Sequence, residues 1–313
     1  MKVVFWGVRG SLPTPLSPDA VRSKIAAVLQ RARPSDLESA ETRERFLASL
    51  PPYLFGTIGG NTACLEIRTD DDRLIIIDGG TGLRDLGASL EKRRDPTSDF
   101  PLFFTHFHYD HLQGIPFFGP AWAKGNRLTF ASPVPSVERT IREQMRPPYF
   151  PVTMDAMPAE LRFVYLQGDS IRVGNAEVRW KRMNHPGGAY AYRITDNGKS
   201  VIVATDSEIT DREFQQREEN RSFFESADLL ILDSQYTLEE SFSKFDFGHT
   251  AYTMAVNLAV EWKVKRLVLF HHEPRYDDRK IFAIARSARW HGEQLGSTRM
   301  DIRTAQEGME IAL

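Results

Sequence analysis

The stretch Phe103-Phe104-Thr105-His106-Phe107-His108-Tyr109-Asp110-His111 sets three imidazoles and one carboxylate within six positions, directly behind an apolar run. Along an extended chain, alternation puts His106, His108 and Asp110 on one face. His111 is free to swing toward a second centre as the chain turns. Imidazole and carboxylate donors suit zinc or a similar borderline divalent cation. A single histidine in a turn is ordinarily a satisfied structural residue. Four metal-capable side chains in six positions point instead to a metal-binding strand end.

The rest of the chain supplies the scaffold. Its 313 residues are enough to bury a substantial core. With 41% hydrophobic and 26% charged residues the composition is that of a soluble globular protein. A formal net charge of -2 offers no basic field for a long polyanion such as duplex nucleic acid. A small anionic substrate stays compatible with that balance, because a dinuclear metal site supplies positive charge locally. The single cysteine, Cys64, excludes an intramolecular disulfide and a thiolate zinc cluster. No apolar run reaches the roughly 18 residues needed to cross a bilayer. The opening Met1-Lys2-Val3-Val4-Phe5-Trp6-Gly7 reads as a strand meeting a turn rather than a signal peptide, so the expected location is cytoplasmic.

Strand-like runs recur at Lys2–Trp6, Ala63–Ile67, Leu74–Ile77, Leu102–Phe104, Leu128–Phe130, Leu161–Val164, Val178–Met183, Val201–Ala204, Leu229–Leu232 and Leu267–Phe270. Helical patterns cover Ala251–Trp262 and Lys280–Trp290, which together suggest a layered α/β fold. Residues 17–54 differ: they are rich in Ala, Arg, Glu and Leu and read as two helices parted near Pro34. This helical insertion is most simply solvated surface, with a lid or a homodimer contact as the sharper reading. The whole of 1–313 is expected to form a single domain carrying it.

Three further segments end likely strands in metal-capable groups. His185 enters a glycine-containing turn, Asp206 follows the apolar run Val201–Ala204, and His271-His272 follows Leu267–Phe270. A lone buried carboxylate at Asp206 would be costly without partners. These residues add enough ligands for a second metal, with Asp206 suited to bridge.

The His-x-His-x-Asp-His pattern, followed by His185, Asp206 and His271, resembles the metallo-β-lactamase-fold hydrolases. Trp6-Gly7-Val8-Arg9-Gly10-Ser11, Gly59-Gly60-Asn61-Thr62 and Ile76-Ile77-Asp78-Gly79-Gly80-Thr81-Gly82 are similar to elements of one branch, so the resemblance runs nearly end to end. It implies an α/β fold of four αββα layers with two divalent metal ions, Zn2+ or alternatively Mn2+, at the sheet edges. By it, His106, His108 and His185 would hold one metal. Asp110, His111 and His271 would hold the other, and Asp206 would bridge. Asp110 would also orient the attacking hydroxide, and Asp78 would fix a ligand from behind. His271 is preferred to His272 because the segment resembles the branch's strand-His-x-x-x-Arg-Tyr ending. His272 then becomes a supporting or substrate-facing residue. A redox diiron protein of this fold carries a carboxylate where His108 stands, so a histidine there favours zinc chemistry.

Two such ions lower the pKa of a bridging water and clamp the oxygens of an in-line displacement. Lactams, thioesters and phosphodiesters are all cleaved on this scaffold, so the fold does not name the substrate. Phe247-Gly248-His249-Thr250 resembles the Gly-His-Ser/Thr element of the phosphodiesterase branch, which includes transfer-RNA 3′-processing enzymes and small cyclic-phosphate or cyclic-nucleotide phosphodiesterases. There the histidine protonates the leaving oxygen, work suited to imidazole near neutral pH. The plainer reading of His249 is a surface histidine capping the helix that follows. Arg275 and Arg9 are candidate phosphate clamps or structural ion pairs. Tyr149, Phe150, Tyr190 and Tyr192 are candidate base-stacking residues or packing. The expectation is a metal-dependent phosphodiesterase acting on a small nucleotide or cyclic phosphate. A thioesterase or lactonase, a transfer-RNA-type endonuclease and a ligand sensor without turnover are the alternatives.

Overall fold

The computed structural model describes residues 1–297 and 299–313. Among the described residues fourteen strands follow in chain order: β1 (Lys2–Gly7), β2 (Cys64–Arg68), β3 (Leu74–Ile77), β4 (Asp99–Phe103), β5 (Arg127–Ser132), β6 (Glu160–Tyr165), β7 (Ser170–Val173), β8 (Ala176–Met183), β9 (Ala189–Asp196), β10 (Lys199–Ala204), β11 (Leu229–Asp233), β12 (Arg266–Phe270), β13 (Asp301–Thr304) and β14 (Glu310–Ala312). They form two seven-stranded mixed sheets, ordered β14-β1-β2-β3-β4-β5-β6 and β13-β12-β11-β10-β9-β8-β7. In the first, β3 to β6 run parallel; in the second, β10 to β13 do.

Side-chain alternation builds the layers. In β3, Ile75 and Ile77 enter the core between the sheets, while Leu74 and Ile76 enter a second core on the outer face. Leu83, Leu86 and Leu90 of the helix Gly82–Lys92 and Ile141 of the helix Val137–Gln144 cover that outer face. The helices Tyr252–Glu261 and Asp278–Gln294 pack on the other sheet, giving the four-layer αββα sandwich of the metallo-β-lactamase fold. Strands buried on both faces read as continuous apolar runs, which is why β3, β10, β11 and β12 were legible. β7, β13 and β14 were not expected, because they are short edge strands of mixed polar sequence, and β9, inside its sheet between β8 and β10, was not expected because Tyr, Arg, Thr and Asp interrupt its apolar pattern.

Residues 17–54 form the helices Pro18–Leu29 and Ala40–Ser49 with a 3-10 turn at Pro34–Leu37 between them, and a short turn at Pro52–Phe55 follows. Ser17 and Ser39 cap the two longer helices by accepting from Ala20 and Thr42 amides. No residue of these helices is buried, and Val21, Ile25 and Leu29 form an exposed stripe at helical spacing. Lys24 ties the segment down, donating to the carbonyls of Tyr53 and Gly56 at 2.7 Å each and pairing with Asp278.

Arg9 is a structural tie and not a phosphate clamp. It is 2% exposed, donates to Gly59 O at 2.9 Å and Tyr276 O at 2.8 Å, and pairs with Asp278 at 3.7 Å. Asp278 keeps Lys24 when Arg9 is removed, but the buried Gly59 and Tyr276 carbonyls lose their donor, a loss of about 1–3 kcal/mol. Arg9→Met is therefore expected to lower unfolding free energy by that order in urea titrations, and an unchanged denaturation midpoint would contradict the role.

Candidate metal centre

The parallel strands deliver the polar residues at their C-terminal ends, where α/β sheets characteristically place ligands. Asp78 follows β3, Thr105 and His106 follow β4, Asp206 follows β10, Asp233 closes β11 and His271 follows β12. Asp78 and His271 hold left-handed φ angles of 61° and 59°. Such a conformation costs a non-glycine residue about 1–3 kcal/mol and persists only where its surroundings impose it. Gly10 shapes this corner, since a Cβ there would lie 2.6 Å from His271 Nδ1.

The motif is not one extended strand. β4 ends at Phe103 and residues 109–111 form a 3-10 turn, so strict alternation stops before Asp110. Asp110 consequently joins His111 rather than sharing a face with His106 and His108.

Two groups of donor atoms result. His106 Nε2 and His185 Nε2 lie 2.9 and 3.2 Å from His108 Nδ1, and 3.8 and 3.9 Å from Asp206 Oδ2. In the second group, His111 Nε2 is 3.2 Å from Asp110 Oδ2 and 3.1 Å from Asp206 Oδ1. His271 Nε2 is 3.2 and 3.3 Å from the same two oxygens. Asp206 thus presents one oxygen to each group. Tetrahedral ligands at about 2.0–2.1 Å from a zinc ion stand about 3.3–3.4 Å from one another. The donor spacing fits that requirement. His111 Nε2 and Asp206 Oδ1, both fully buried, complete no hydrogen bond within the chain. Buried polar atoms are normally satisfied, so these face a shared point that a cation suits.

Charge follows the geometry. Burial, opposed by Asp206, pushes the His106, His108 and His185 imidazoles below their ordinary range, leaving neutral nitrogens. Burial also opposes charge on His271, but Asp206 and Asp110 outweigh it and hold that imidazole up at about 9; His111 is raised in the same way. Burial alone would raise Asp206, yet the imidazoles of His271, His111 and His106 keep it well below the carboxylate range.

The surrounding residues fix orientation. Asp78 accepts from the Thr105 amide at 2.8 Å and holds His111 Nδ1 at 2.8 Å, so it lies behind that imidazole and fixes its orientation. His249 is not a helix cap. The helix starts at Tyr252 with Ala251 as its cap, and His249 Nδ1 lies 2.7 Å from Asp233 Oδ2 with its ring stacked 5.1 Å from His271. Asp233 was missed in the sequence, though it ends a strand as Asp206 follows one. The Gly248 carbonyl accepts from His185 Nδ1 at 2.9 Å, and Glu208 accepts from the amides of Asp246 and Gly248 at 3.2 Å. Gly248 has φ +84°, and a Cβ there would lie 2.4 Å from His185 Nδ1.

Other candidates fall elsewhere. His272 turns away, its Nε2 directed at Ala305 O (3.0 Å) and Thr304 Oγ1 (3.2 Å), so it faces neither group of donors. Tyr192 is core, its hydroxyl donating to Phe104 O at 2.7 Å. Arg275 is exposed and has no ion pair among the described residues.

The sequence profile described as a beta-lactamase superfamily domain matches residues 73–272. The chain belongs to this superfamily, as a metallo-β-lactamase-fold hydrolase. It is 24% identical over 229 residues to ribonuclease Z of Prochlorococcus marinus, covering 56% of this chain and 70% of that protein. A shorter segment of 90 residues is 33% identical to ribonuclease Z of Bradyrhizobium sp., covering 29% of this chain and 28% of that protein. Among solved structures, a new diphosphatase from the PhnP family superposes with a TM-score of 0.62 at 15% identity, covering 100% of this chain and 97% of that one. Among the described residues no helix is long and apolar enough to cross a membrane.

His272 sets an acid-side stability limit. Burial and the neighbouring Arg9 push its imidazole down to about 3. An unfolded histidine titrates near 6.5, so this contribution is complete above about pH 6.5 and lost as pH falls toward 3. His272→Gln, which can keep a donor for Ala305, is expected to flatten the stability profile between about pH 6.5 and 4, as read by thermal unfolding. Parallel profiles for the two proteins would exclude this role.

Proposed function

We propose that this hydrolase is a dinuclear metal-dependent phosphodiesterase acting on a small nucleotide or cyclic phosphate. The observation that carries the reading is the split of Asp206, one oxygen toward His106, His108 and His185 and the other toward Asp110, His111 and His271. In this reading those residues hold two divalent cations, zinc or alternatively manganese. When bound, the cations would supply an activated water and neutralise charge gathering on the phosphoryl oxygens.

The chain's own residues do the rest. Asp110 Oδ2 accepts from the Ser11 amide at 2.9 Å, which fixes the carboxylate that would orient the attacking water. His249, held at Nδ1 by Asp233, keeps Nε2 for the substrate and would give its proton to the leaving oxygen. Asp233 is held in turn by the amides of Gln235 (3.0 Å) and Ser207 (3.2 Å), so the pair is oriented before substrate arrives. Arg275, exposed and unpaired among the described residues, would contact a phosphate oxygen. The His249–Asp233 pair favours a phosphodiester over a thioester, whose thiolate departs without a proton; against a lactone, whose alkoxide needs one too, the reading is supported by the matches to proteins named ribonuclease Z. The matches to proteins named ribonuclease Z support phosphodiester chemistry and keep RNA as the second reading. A net charge of -2 favours the smaller substrate.

His249→Ala is expected to lower kcat by about 10²–10⁴-fold on a diester with an alkoxide leaving group. The loss should be smaller on bis-p-nitrophenyl phosphate, whose leaving group departs without a proton, and metal content should stay the same. Equal losses on both substrates would sink the proton-donor role. Asp206→Ala is expected to reduce bound divalent metal, measured by plasma mass spectrometry, with far-ultraviolet circular dichroism retained. Full occupancy in that variant would refute the bridge. Faster turnover of a structured RNA than of any small diester would favour the second reading.

A further inference from the structure

A cavity of about 800 Å3, within the size range of small-molecule sites, is walled in part by the metal-site loop, through residues that alternate with the donors rather than through the donors themselves. Its near wall belongs to the metal-site loop itself. Phe107 and Tyr109 line the cavity, while the residues flanking them, His106, His108 and Asp110, contribute to the two donor groups. The far wall carries Phe117, Tyr149 and Phe150, with the Phe117 and Phe150 rings edge to face at 5.9 Å. Tyr109, Tyr149 and Phe117 are 69%, 71% and 58% exposed. Such a concentration of uncovered aromatic surface around a cavity marks a binding site, because each ring loses contact with water when a ligand fills the space.

The polar lining narrows the ligand. No side-chain hydrogen bond occupies Gln113 among the described residues, and Gln144 spends one amide N–H on Leu112 O at 3.4 Å. Arg146 lines the same space without an ion pair among the described residues. Flat apolar walls with amides that both donate and accept suit a planar heteroaromatic ring with hydrogen-bonding edges. An alkyl group would leave those amides without a polar partner. The adjoining donor groups would receive the phosphate joined to that ring.

We infer that this cavity is the base pocket of the site and holds the nucleobase of a small nucleotide diester between the Phe107–Tyr109 wall and the Phe117–Tyr149–Phe150 wall. The inference rests on the phosphodiesterase reading for its substrate class but is testable apart from it. Titration calorimetry compares adenosine 5′-monophosphate with ribose 5-phosphate, two probes that share a sugar phosphate and differ in the base. The native protein is expected to bind the first at least about 10-fold more tightly, the scale of base–aromatic stacking. Tyr149→Ala and Phe117→Ala, both at exposed positions, are each expected to erase most of that preference. Equal affinity for the two probes in the native protein, or an undiminished preference in both variants, would overturn the pocket. Turnover of bis-p-nitrophenyl phosphate is assayed in parallel. Turnover without base preference sinks the pocket alone, and base preference without turnover sinks the phosphodiesterase reading alone.

Discussion

One buried carboxylate organises this molecule. Asp206 sits at the end of β10 with almost no access to water, and its two oxygens face opposite sets of imidazole nitrogens. An isolated carboxylate in such a place would take up a proton or force the fold open. Here the strands on both sides bring nitrogen to each oxygen, while His111 Nε2 and Asp206 Oδ1 complete no hydrogen bond within the chain. The fold therefore tolerates a cluster whose parts repel or leave each other unpaired, a condition met where structure is arranged around a bound charge.

The two donor groups are chemically unequal. Burial keeps the His106, His108 and His185 nitrogens neutral, whereas carboxylates hold protons on His111 and His271. The two groups thus differ in charge although they share Asp206.

Much of this was legible in the sequence, for a physical reason. Strands such as β10 and β12 are apolar on both faces, so the polar residue that ends each one stands out, and Asp206 and His271 were found that way. Asp233 ends an equally apolar strand but was overlooked, since the reading stopped at Leu232 and an aspartate after a strand is also ordinary turn chemistry. The choice between His271 and His272 could not be made from spacing alone. It depends on the left-handed turn at His271, which sends consecutive imidazoles in different directions. Tyr192 of β9 is packing, the plainer of its two readings, which an alternating Ala-Tyr-Ala-Tyr run alone does not separate from a pocket wall.

The peptide at Gly248 has a wider meaning. Its carbonyl steadies His185, its amide is anchored by Glu208, and the next residue is His249. With no space for a side chain there, the segment behaves as a rigid lever joining an imidazole of the first donor group to the residue beside Asp233. A side chain at Gly248 would therefore displace His185 and its neighbour His249 together, so the two imidazoles cannot be repositioned one at a time through this segment.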